Sequence, residues 1–351
     1  MFNPSFTIDS DILNAIAEIA EIKVIVERSP VLPLNELELK RQALIRMVHT
    51  STSIEGNKLA EHQVDRVLSG MSVSADDKSI LEVKNYQNAV KEVEELSKKK
   101  AHLTSEVILE IHKITMKNLV ENEKLGKFRP GEIYVVDDLG DGREYLRYQG
   151  PKSEDVPTLI EEMIKWYKIA TTDGLHPVIK AGILHLQFVS IHPFTDGNGR
   201  LARLLTQLSL YLDGWDFRKI IVLEEFYNQN RQDYYNAENA VQGEKYHEGQ
   251  DITPFLEYFT AGFLVEARKV KRIITSLGFD KTNDVTQMYL DPDEVKIMDM
   301  LVTNLKITSD DVMSLLKIAK RTSQLKLKNL IDKKLIKPEG KARATYYILT
   351  K

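Results

Sequence analysis

Cysteine is absent from this 351-residue sequence, which excludes disulfide bonds, thiol nucleophiles and thiolate metal sites. No apolar run is long enough to span a bilayer, and the N-terminal segment MFNPSFTIDS lacks the pattern of a signal peptide. These absences predict a cytoplasmic protein with no membrane partner. Internal repeats and low-complexity tracts are also missing, and the length predicts two or three globular domains.

The formal net charge is small, but it is distributed unevenly along the chain. From Asp291 to Lys351 there are 13 Lys/Arg and 8 Asp/Glu, which makes this tail +5. The remainder carries −9, the difference between the total of −4 and +5. This basic tail favours contacts with negatively charged groups.

The segment from His192 to Arg203, HPFTDGNGRLAR, combines residue types that suit an anion. Its two glycines let backbone N–H groups approach a ligand without a Cβ in the way. A helix that starts at Asn198 or Gly199 directs its unpaired N–H groups and positive dipole end at the same anion. Arg200 and Arg203 then lie on one face of that helix, because residues three apart are neighbours. The segment predicts an anion-binding helix terminus.

Two further residues of this segment add chemistry to the anion site. Guanidinium groups suit phosphate oxygens, and Asp196 suits the divalent cation that accompanies a polyphosphate. The ordinary pKa of His192 makes it a natural proton acceptor near neutrality. The preceding run from Pro177 to Ile191 is apolar on nearly every face, which predicts a buried helix that ends at His192. Together these residues predict a phosphate-transfer site.

Three other interpretations fit parts of the segment. Gly197, Gly199 and Ala202 match a loosened dinucleotide fingerprint, but that fingerprint needs a β-strand before it. His185 and the two titratable loop residues would make a transition-metal triad, although a histidine within an apolar helix is more often a hydrogen-bonded core residue. The glycines also fit a plain turn followed by solvated arginines.

The segment resembles the signature of the Fic-domain family, HxFx(D/E)GNGRxxR, at every specified position. Most characterised Fic enzymes transfer AMP from ATP to a hydroxyl side chain of a target protein, and the resemblance implies ATP as substrate, Mg²⁺ as cofactor and self-modification. It also implies a role for each residue: general base for His192, Mg²⁺ ligand for Asp196, cradle of the α- and β-phosphates for Gly197, Asn198 and Gly199, phosphate-chain contact for Arg200, and γ-phosphate contact for Arg203.

A second motif lies in the sequence TSTSIEGNKL, where Ser51 and Glu55 are four residues apart and so share one side of a helix. Locally, Glu55 fits a surface acid and Gly56 a helix C-cap. The segment Ser51–Asn57 nevertheless resembles the (S/T)xxxE(G/N) inhibitory helix of many Fic proteins, whose glutamate pairs with the second arginine of the signature, here Arg203. The resemblance implies autoinhibition by Glu55, which would occupy the guanidinium meant for the γ-phosphate, and leaves open a reverse deAMPylation.

Between residues 126 and 151 the pattern changes to two β-prone runs around Gly140-Asp141-Gly142, which predicts a hairpin. Such a hairpin can simply pack on the core. By resemblance it is the flap that aligns a target by β-augmentation, through Ile133, Tyr134 and Val135. The later sequence RQDYYNAENAVQ resembles the helix beside the adenine pocket. There Tyr235 would face the base, and Gln242 stands where relatives often have Asn.

The tail shows helical apolar spacing over residues 293–305, 308–316 and 322–335, followed by two short β-prone runs, which predicts a winged helix. Val295 and Leu325 are among the residues expected on its apolar faces. Two uses stay open: DNA binding through basic residues, and a protein-interaction module that makes a homodimer possible. The candidate phosphate contacts are Lys320, Arg321, Lys326, Lys328, Lys341 and Arg343.

The sequence therefore predicts a mainly α protein: a Fic-type helical core with a β-hairpin flap and a small C-terminal winged-helix domain. The expected divisions are a helical extension over 1–100, a catalytic core over 101–275, a linker over 276–290 and the tail over 291–351. The expected activity is protein adenylyltransfer. The alternative is a nucleotide-sensing winged-helix transcriptional regulator with little turnover, and a third possibility is transfer of UMP, phosphocholine or phosphate.

Overall fold

The computed structural model describes residues 2–31, 33–138, 144–279, 290–340 and 345–350. The N-terminal part contains α1 (Ser10–Arg28), α2 (Pro33–Ile54), α3 (Glu61–Leu68) and α4 (Asp77–Lys98). The central part contains α5 (Ser105–Thr115), β1 (Tyr134–Asp138), β2 (Glu144–Gln149), α6 (Val156–Thr172), α7 (Pro177–Ile191), α8 (Asn198–Leu212), α9 (Leu223–Gln229), α10 (Arg231–Gln242) and α11 (Thr253–Phe279). The tail contains α12 (Pro292–Asn304), α13 (Ser309–Leu316), α14 (Lys320–Asp332), β3 (Ile336–Glu339) and β4 (Tyr346–Leu349).

Helix α7 lies at the centre of the core and packs against α6, α8 and α11. Its bounds are those predicted from the sequence. Pro177 occupies the first helical position, where its missing N–H costs nothing, and the His176 ring accepts a hydrogen bond from Val178 N–H. Because α7 is apolar on every face, it is buried along its length, and the loop that follows it is anchored in the core.

Strands β1 and β2 form the predicted hairpin, which is antiparallel. The pairing shifts between Val135 and Val136, so Arg147 on β2 is left as a bulged residue. Strand β1 begins at Tyr134, so Ile133, expected within the strand, lies just before it. The predicted turn at residues 140–142 lies outside the described residues.

The tail has its own apolar core, and it also contacts the N-terminal part. Leu37 of α2 is buried in the tail cluster together with Leu301 and Leu327, and α12 packs on α2. Two expectations were wrong: Val295 is 44% exposed and Leu325 is 58% exposed. Helix α14 starts at Lys320, two residues earlier than predicted.

The expectation of a mainly helical chain with a β-hairpin is confirmed. The tail has three helices and a two-stranded hairpin in the predicted order, and its assignment as a winged helix stays a prediction. Helix α11 extends through the start of the expected linker, and residues 280–289 lie outside the described residues. Within the described part of the chain, every helix is too short or too polar to cross a membrane.

Candidate functional site

The loop between α7 and α8 has the conformation that its sequence requires. His192 caps α7 in the left-handed region, at φ 50° and ψ 58°. Gly197 precedes α8 at φ 86°, where a side chain would be strained. A Cβ on Gly197 would also lie 2.7 Å from the sulfur of Met116. The predicted start of the second helix at Asn198 is confirmed, and its first N–H groups face the loop.

The His192 ring is oriented by the end of its own helix. Its Nδ1 lies 3.2 Å from the Val189 carbonyl oxygen, and because a carbonyl only accepts, Nδ1 carries the proton. The lone pair is therefore on Nε2. Burial lowers the pKa of His192, although the bond to Val189 and the Glu238 charge oppose this. A neutral imidazole with a free Nε2 lone pair can accept a proton near neutrality.

Two further side chains hold the loop in shape: Asn198 of the signature, and His112, which the motifs did not predict. The Asn198 amide donates to the Phe194 carbonyl at 2.8 Å, and its Oδ1 accepts from Phe194 N–H at 2.9 Å. Asn198 therefore braces the loop with one N–H of its side chain, and its second Nδ2–H and its backbone N–H remain for the expected phosphate cradle. The ring of His112 stacks on Phe194 at 3.8 Å and bonds the Asp196 carbonyl oxygen at 3.3 Å. Burial lowers the pKa of His112 to about 4, so this ring stays neutral.

Arg203 is buried and is held by the C-terminal end of α2. Its Nε donates to Ser51 Oγ at 2.8 Å, and its Nη2 donates to the Ser51 carbonyl at 3.0 Å and to Glu55 Oε1 at 2.7 Å. Burial would raise the pKa of Glu55, but the charges of Arg203 and Arg200 outweigh it and lower that pKa. The ion pair expected between Glu55 and Arg203 is present.

The Glu55 carboxylate also lies against the N-terminus of α8. A Cβ on Gly199 would be 2.5 Å from Glu55 Oε1 and 3.2 Å from Arg203 Nη1. This place combines a helix terminus with a guanidinium, so it suits an anion of any kind. Glu55 therefore occupies space that a phosphate group would need.

Arg200 is paired with carboxylates, and its expected contact with the phosphate chain stays a prediction. Its Nη2 donates to Asp196 Oδ1 at 2.8 Å, and its Nη1 is 3.8 Å from Glu82 Oε1. Arg200 is thus held between two carboxylates. Asp196 remains half exposed at 49%, and its Oδ1 also accepts from Gly197 N–H at 2.5 Å.

The loop opens into a cavity of about 400 Å³ between the hairpin, α10 and the end of α2. Its lining contains most of the predicted site residues. The residues that line it are Glu55, Val135, Val136, Arg147, Tyr148, Val189, His192, Thr195, Asp196, Gly197, Asn198, Gly199, Arg203, Tyr234, Tyr235, Glu238, Asn239 and Gln242. Ser51, Arg200, Ile133 and Tyr134 lie outside this lining.

On the α10 side of the cavity, two predicted base contacts are held by neighbours. The Arg147 guanidinium lies 4.4 Å from the centre of the Tyr235 ring, so the bulged residue of the hairpin reaches across to α10. The Gln242 Nε2 donates to Ser190 Oγ at 3.1 Å. This bond fixes the amide and leaves Oε1 of Gln242 as an acceptor.

Two of the alternative interpretations do not agree with the structure. His185 is fully buried, with Nδ1 2.9 Å from Thr206 Oγ1 and Nε2 2.9 Å from the Tyr234 hydroxyl. Both ring nitrogens are therefore used in the core, and a transition-metal triad through His185 is wrong. The dinucleotide fingerprint is also wrong, since helix α7 precedes the glycines in place of a strand.

Arg129 is a further buried residue that the motifs did not predict. Its Nε donates to the His192 carbonyl at 2.9 Å, so a guanidinium supports the main chain of the histidine. The local sequence GKFRP carries no periodicity that would have indicated this contact.

The signature loop lies within a segment that is similar to a known family. Residues 102–210 match the Fic/DOC family. This part of the chain is similar to Fic domains. Its structure is similar to that of a Fic family protein from Desulfovibrio desulfuricans, with a TM-score of 0.64, 24% identity, and coverage of 99% of this chain and 98% of that one. A Fic domain containing signaling protein from Bacteroides thetaiotaomicron gives a TM-score of 0.62 at 21% identity, over 75% of this chain and 98% of that one.

Curated relatives extend the similarity beyond the Fic domain itself. The chain is 29% identical over 271 residues to a protein adenylyltransferase Fic from Nematostella vectensis, which covers 75% of this chain and 58% of that protein. It is 29% identical over 222 residues to the protein of the same name from Drosophila melanogaster, covering 62% of this chain and 40% of the fly protein. The chain thus spans less than two thirds of these relatives.

Proposed function

We propose that the protein transfers AMP from ATP to a hydroxyl side chain of a target protein. The observation that carries the proposal is one cavity containing His192 with a free Nε2 lone pair, the N-terminus of α8 and the buried Arg203. The Fic domain and the names of the relatives support the same reaction class.

The reaction follows from where these groups lie. The target hydroxyl gives its proton to His192 Nε2 as its oxygen bonds to the α-phosphorus of ATP. The bond from that phosphorus to the oxygen bridging the β-phosphate breaks, and pyrophosphate leaves. Backbone N–H groups at the start of α8 and the Arg203 guanidinium stabilise the charge that builds up on the phosphates. The protein therefore contributes positioning, charge neutralisation and a single proton acceptor.

Asp196 fits the Mg²⁺ that accompanies ATP. It is a half-exposed carboxylate at the cavity wall, and Mg²⁺ is commonly held by one or two carboxylates plus phosphate oxygens and water. Within the described residues there is no group of three or more His, Asp or Glu side chains that would hold a metal alone. We assign Arg200 to orienting Asp196, because its Nη2 donates to the Oδ1 of that carboxylate.

The acidic end of α2 restrains this activity. Glu55 neutralises Arg203 and lies where a phosphate group would approach Gly199. A triphosphate that enters the cavity meets a carboxylate in place of a free guanidinium, so its α-phosphate is badly aligned for attack. The wild-type chain is then a restrained enzyme.

The hairpin is the docking element for the target. Tyr134 and Val136 of β1 are 53% and 43% exposed, which leaves apolar surface beside the cavity. The Ile133 carbonyl oxygen accepts from Gly150 N–H at 3.2 Å, so this carbonyl group is not available to a docked strand. We assign β-augmentation to the outer edge of β1, at Tyr134 and Val135. The target hydroxyl is thereby held near His192.

We propose that the core and the tail have separate roles, with DNA or protein binding by the tail. Two of its candidate phosphate contacts are paired: Lys326 Nζ is 2.8 Å from Asp291, and Lys320 Nζ is 4.0 Å from Asp310. Arg321 is exposed on α14 and supports anion binding there. Lys341 and Arg343 lie outside the described residues.

The reaction class is tested with ATP labelled in either the α- or the γ-phosphate, incubated with the Glu55→Gly chain and a cell lysate. We expect protein-bound label from the α-phosphate and none from the γ-phosphate. Matched reactions with labelled UTP distinguish the nucleotide. Label from the γ-phosphate would mean phosphate transfer, and no label from either would leave nucleotide sensing as the function.

The rate of transfer should depend on the protonation of His192. Because burial lowers the pKa of His192, kcat/KM of the Glu55→Gly chain should fall only at pH values below the ordinary histidine value of 6.5. Glu224 is a possible confounder: burial raises the pKa of this carboxyl to about 7, and it lines a small cavity with Arg203. The Glu224→Gln control should keep the same acid limb, which is the decrease of kcat/KM at low pH. If the fall in kcat/KM is centred near pH 7 and disappears in Glu224→Gln, then this pH dependence belongs to Glu224.

A further inference from the structure

Arg129 makes an unusual set of contacts for a buried cation. It is 4% exposed, and its guanidinium donates to three main-chain carbonyl groups. Nε reaches the His192 carbonyl at 2.9 Å, Nη1 reaches Gly131 at 2.7 Å, and Nη2 reaches Pro151 at 2.5 Å. The Arg129 N–H also donates to the Pro193 carbonyl at 2.9 Å. One side chain thus satisfies carbonyl groups from three separate segments.

Those segments are the two ends of the hairpin and the start of the signature loop. Gly131 lies shortly before β1, and Pro151 lies shortly after β2. A fork with three donors in fixed directions holds these carbonyl groups at set distances from one another. The position of the hairpin is therefore tied to the position of the His192 main chain.

Gly150 shows how closely these parts meet. A Cβ at this position would lie 2.5 Å from Ile133 Cγ2, 3.2 Å from Arg129 Nη2 and 3.8 Å from His192 Cβ. The hairpin end, the guanidinium and the histidine thus surround one glycine. An added methyl group forces at least one of them to move.

From these contacts we infer that Arg129 is a positioning residue for the transfer reaction, which sets the histidine relative to the hairpin that docks the target. It acts through the main chain of His192 and lies outside the lining of the nucleotide cavity. A change of Arg129 should slow the attack of the target hydroxyl on the α-phosphorus. The distance from His192 Nε2 to that hydroxyl depends on the positions of both the histidine and the hairpin. Binding of ATP should not depend on Arg129. This inference rests on the proposed function.

The geometric part is tested with Arg129→Lys in the Glu55→Gly chain, measured with α-labelled ATP. Lysine keeps the charge but presents its donors from one point, so it cannot hold three carbonyl groups in a plane. We expect kcat to fall about 10- to 100-fold, as for a misplacement on the order of 1 Å. KM for ATP should stay unchanged. The matched control is Arg218→Lys, since Arg218 also donates to two main-chain carbonyl groups, those of Glu27 and Ser29.

The electrostatic part is tested with Arg129→Gln, which removes the charge. The charges facing His192 are those of Glu238, Arg129 and Glu55, and the Arg129 charge lowers the pKa of the histidine. Removing the Arg129 charge should shift the acid limb of the pH profile to higher pH, whereas Arg129→Lys should leave the limb at the same pH. A residue with a merely structural role would change thermal stability without moving the limb.

Gly150→Ala covers the case in which the arginine variants do not fold. It should lower kcat with unchanged KM for ATP, because its methyl group would lie 2.5 Å from Ile133 Cγ2 and 3.2 Å from Arg129 Nη2 and so shift the hairpin end relative to the histidine. All variants are compared with their Glu55→Gly parent. The kcat of the parent in both Arg129 variants, with an unmoved pH limb in Arg129→Gln, would overturn the inference, as would the kcat of the parent in Gly150→Ala if only that variant folds. Absence of transfer by the Glu55→Gly chain itself would instead refute the proposed function.

Discussion

His192→Asn in the Glu55→Gly chain should abolish measurable transfer of α-label while leaving ATP binding intact. General bases of this kind contribute roughly 10²- to 10⁴-fold, so the remaining rate should fall near background. Asparagine is the better replacement, because His192 has a φ of 50° and asparagine tolerates that region more readily than alanine. Transfer is measured by autoradiography and ATP binding by calorimetry.

The control for this prediction is a histidine away from the cavity. His62 of α3 is exposed, and His62→Asn should keep the full transfer rate. The melting temperatures of both variants show whether the fold is retained. If His192→Asn transfers label as fast as its parent, then another group accepts the proton and the base assignment is lost.

Glu55→Gly should raise self-labelling by about 10- to 100-fold over the wild-type chain. The gain corresponds to one charged hydrogen bond between Arg203 and the γ-phosphate, worth about 1.5–3 kcal/mol. Removing Glu55 also takes a negative charge away from the N-terminus of α8, where a phosphate is favoured. Glu55→Gln should release less activity, because its amide oxygen still accepts from Arg203 Nη2.

The same variant should respond differently to nucleotide. Without Glu55 the buried Arg203 lacks its carboxylate, which destabilises the fold until an anion replaces it. ATP should therefore raise the melting temperature of Glu55→Gly more than that of the wild-type chain. Glu225→Gln is the matched control, since Glu225 pairs with Arg46 at 3.1 Å and does not line the cavity. If the wild-type chain, Glu55→Gly and Glu225→Gln label themselves equally, then autoinhibition by Glu55 is refuted.

Acidity alone should not release the proposed inhibition by Glu55 in the physiological range. The pKa of Glu55 is lowered in the folded protein, so the stabilisation from its pair with Arg203 is present above the ordinary value of 4.5. It is lost only as pH falls through the lower folded value. Between pH 5 and 8 the pair stays charged, and the pH profile of the wild-type chain reports other groups.

Local sequence was sufficient for the parts of the site that are contiguous in the chain. Pro177 and the glycines after His192 determined both helix boundaries, because their backbone preferences act on their immediate neighbours. The Glu55–Arg203 pair spans 148 positions, and the local pattern alone favoured a surface acid. Only the family resemblance predicted this pairing.

His112 and Arg129 could not be predicted from the sequence, because their partners are also distant in the chain. His112 contacts Asp196 across 84 positions, and Arg129 contacts His192 across 63. Both act on main-chain carbonyl groups, which are present at every residue, so no side-chain pattern marks the partner. In the tail, Leu325 was placed on the apolar side by spacing, but the observed helix turns it to solvent.

Helix α2 joins two regions that the sequence presents as unrelated. Its early residue Leu37 is embedded in the apolar core of the tail, and its later residue Ser51 holds Arg203. About 21 Å of continuous helix separates them, at about 1.5 Å per residue. A hydrogen-bonded helix transmits displacement along its axis. The tail and the contacts of Ser51 with Arg203 therefore cannot shift independently, unless α2 bends or the Leu37 side chain leaves the apolar core of the tail.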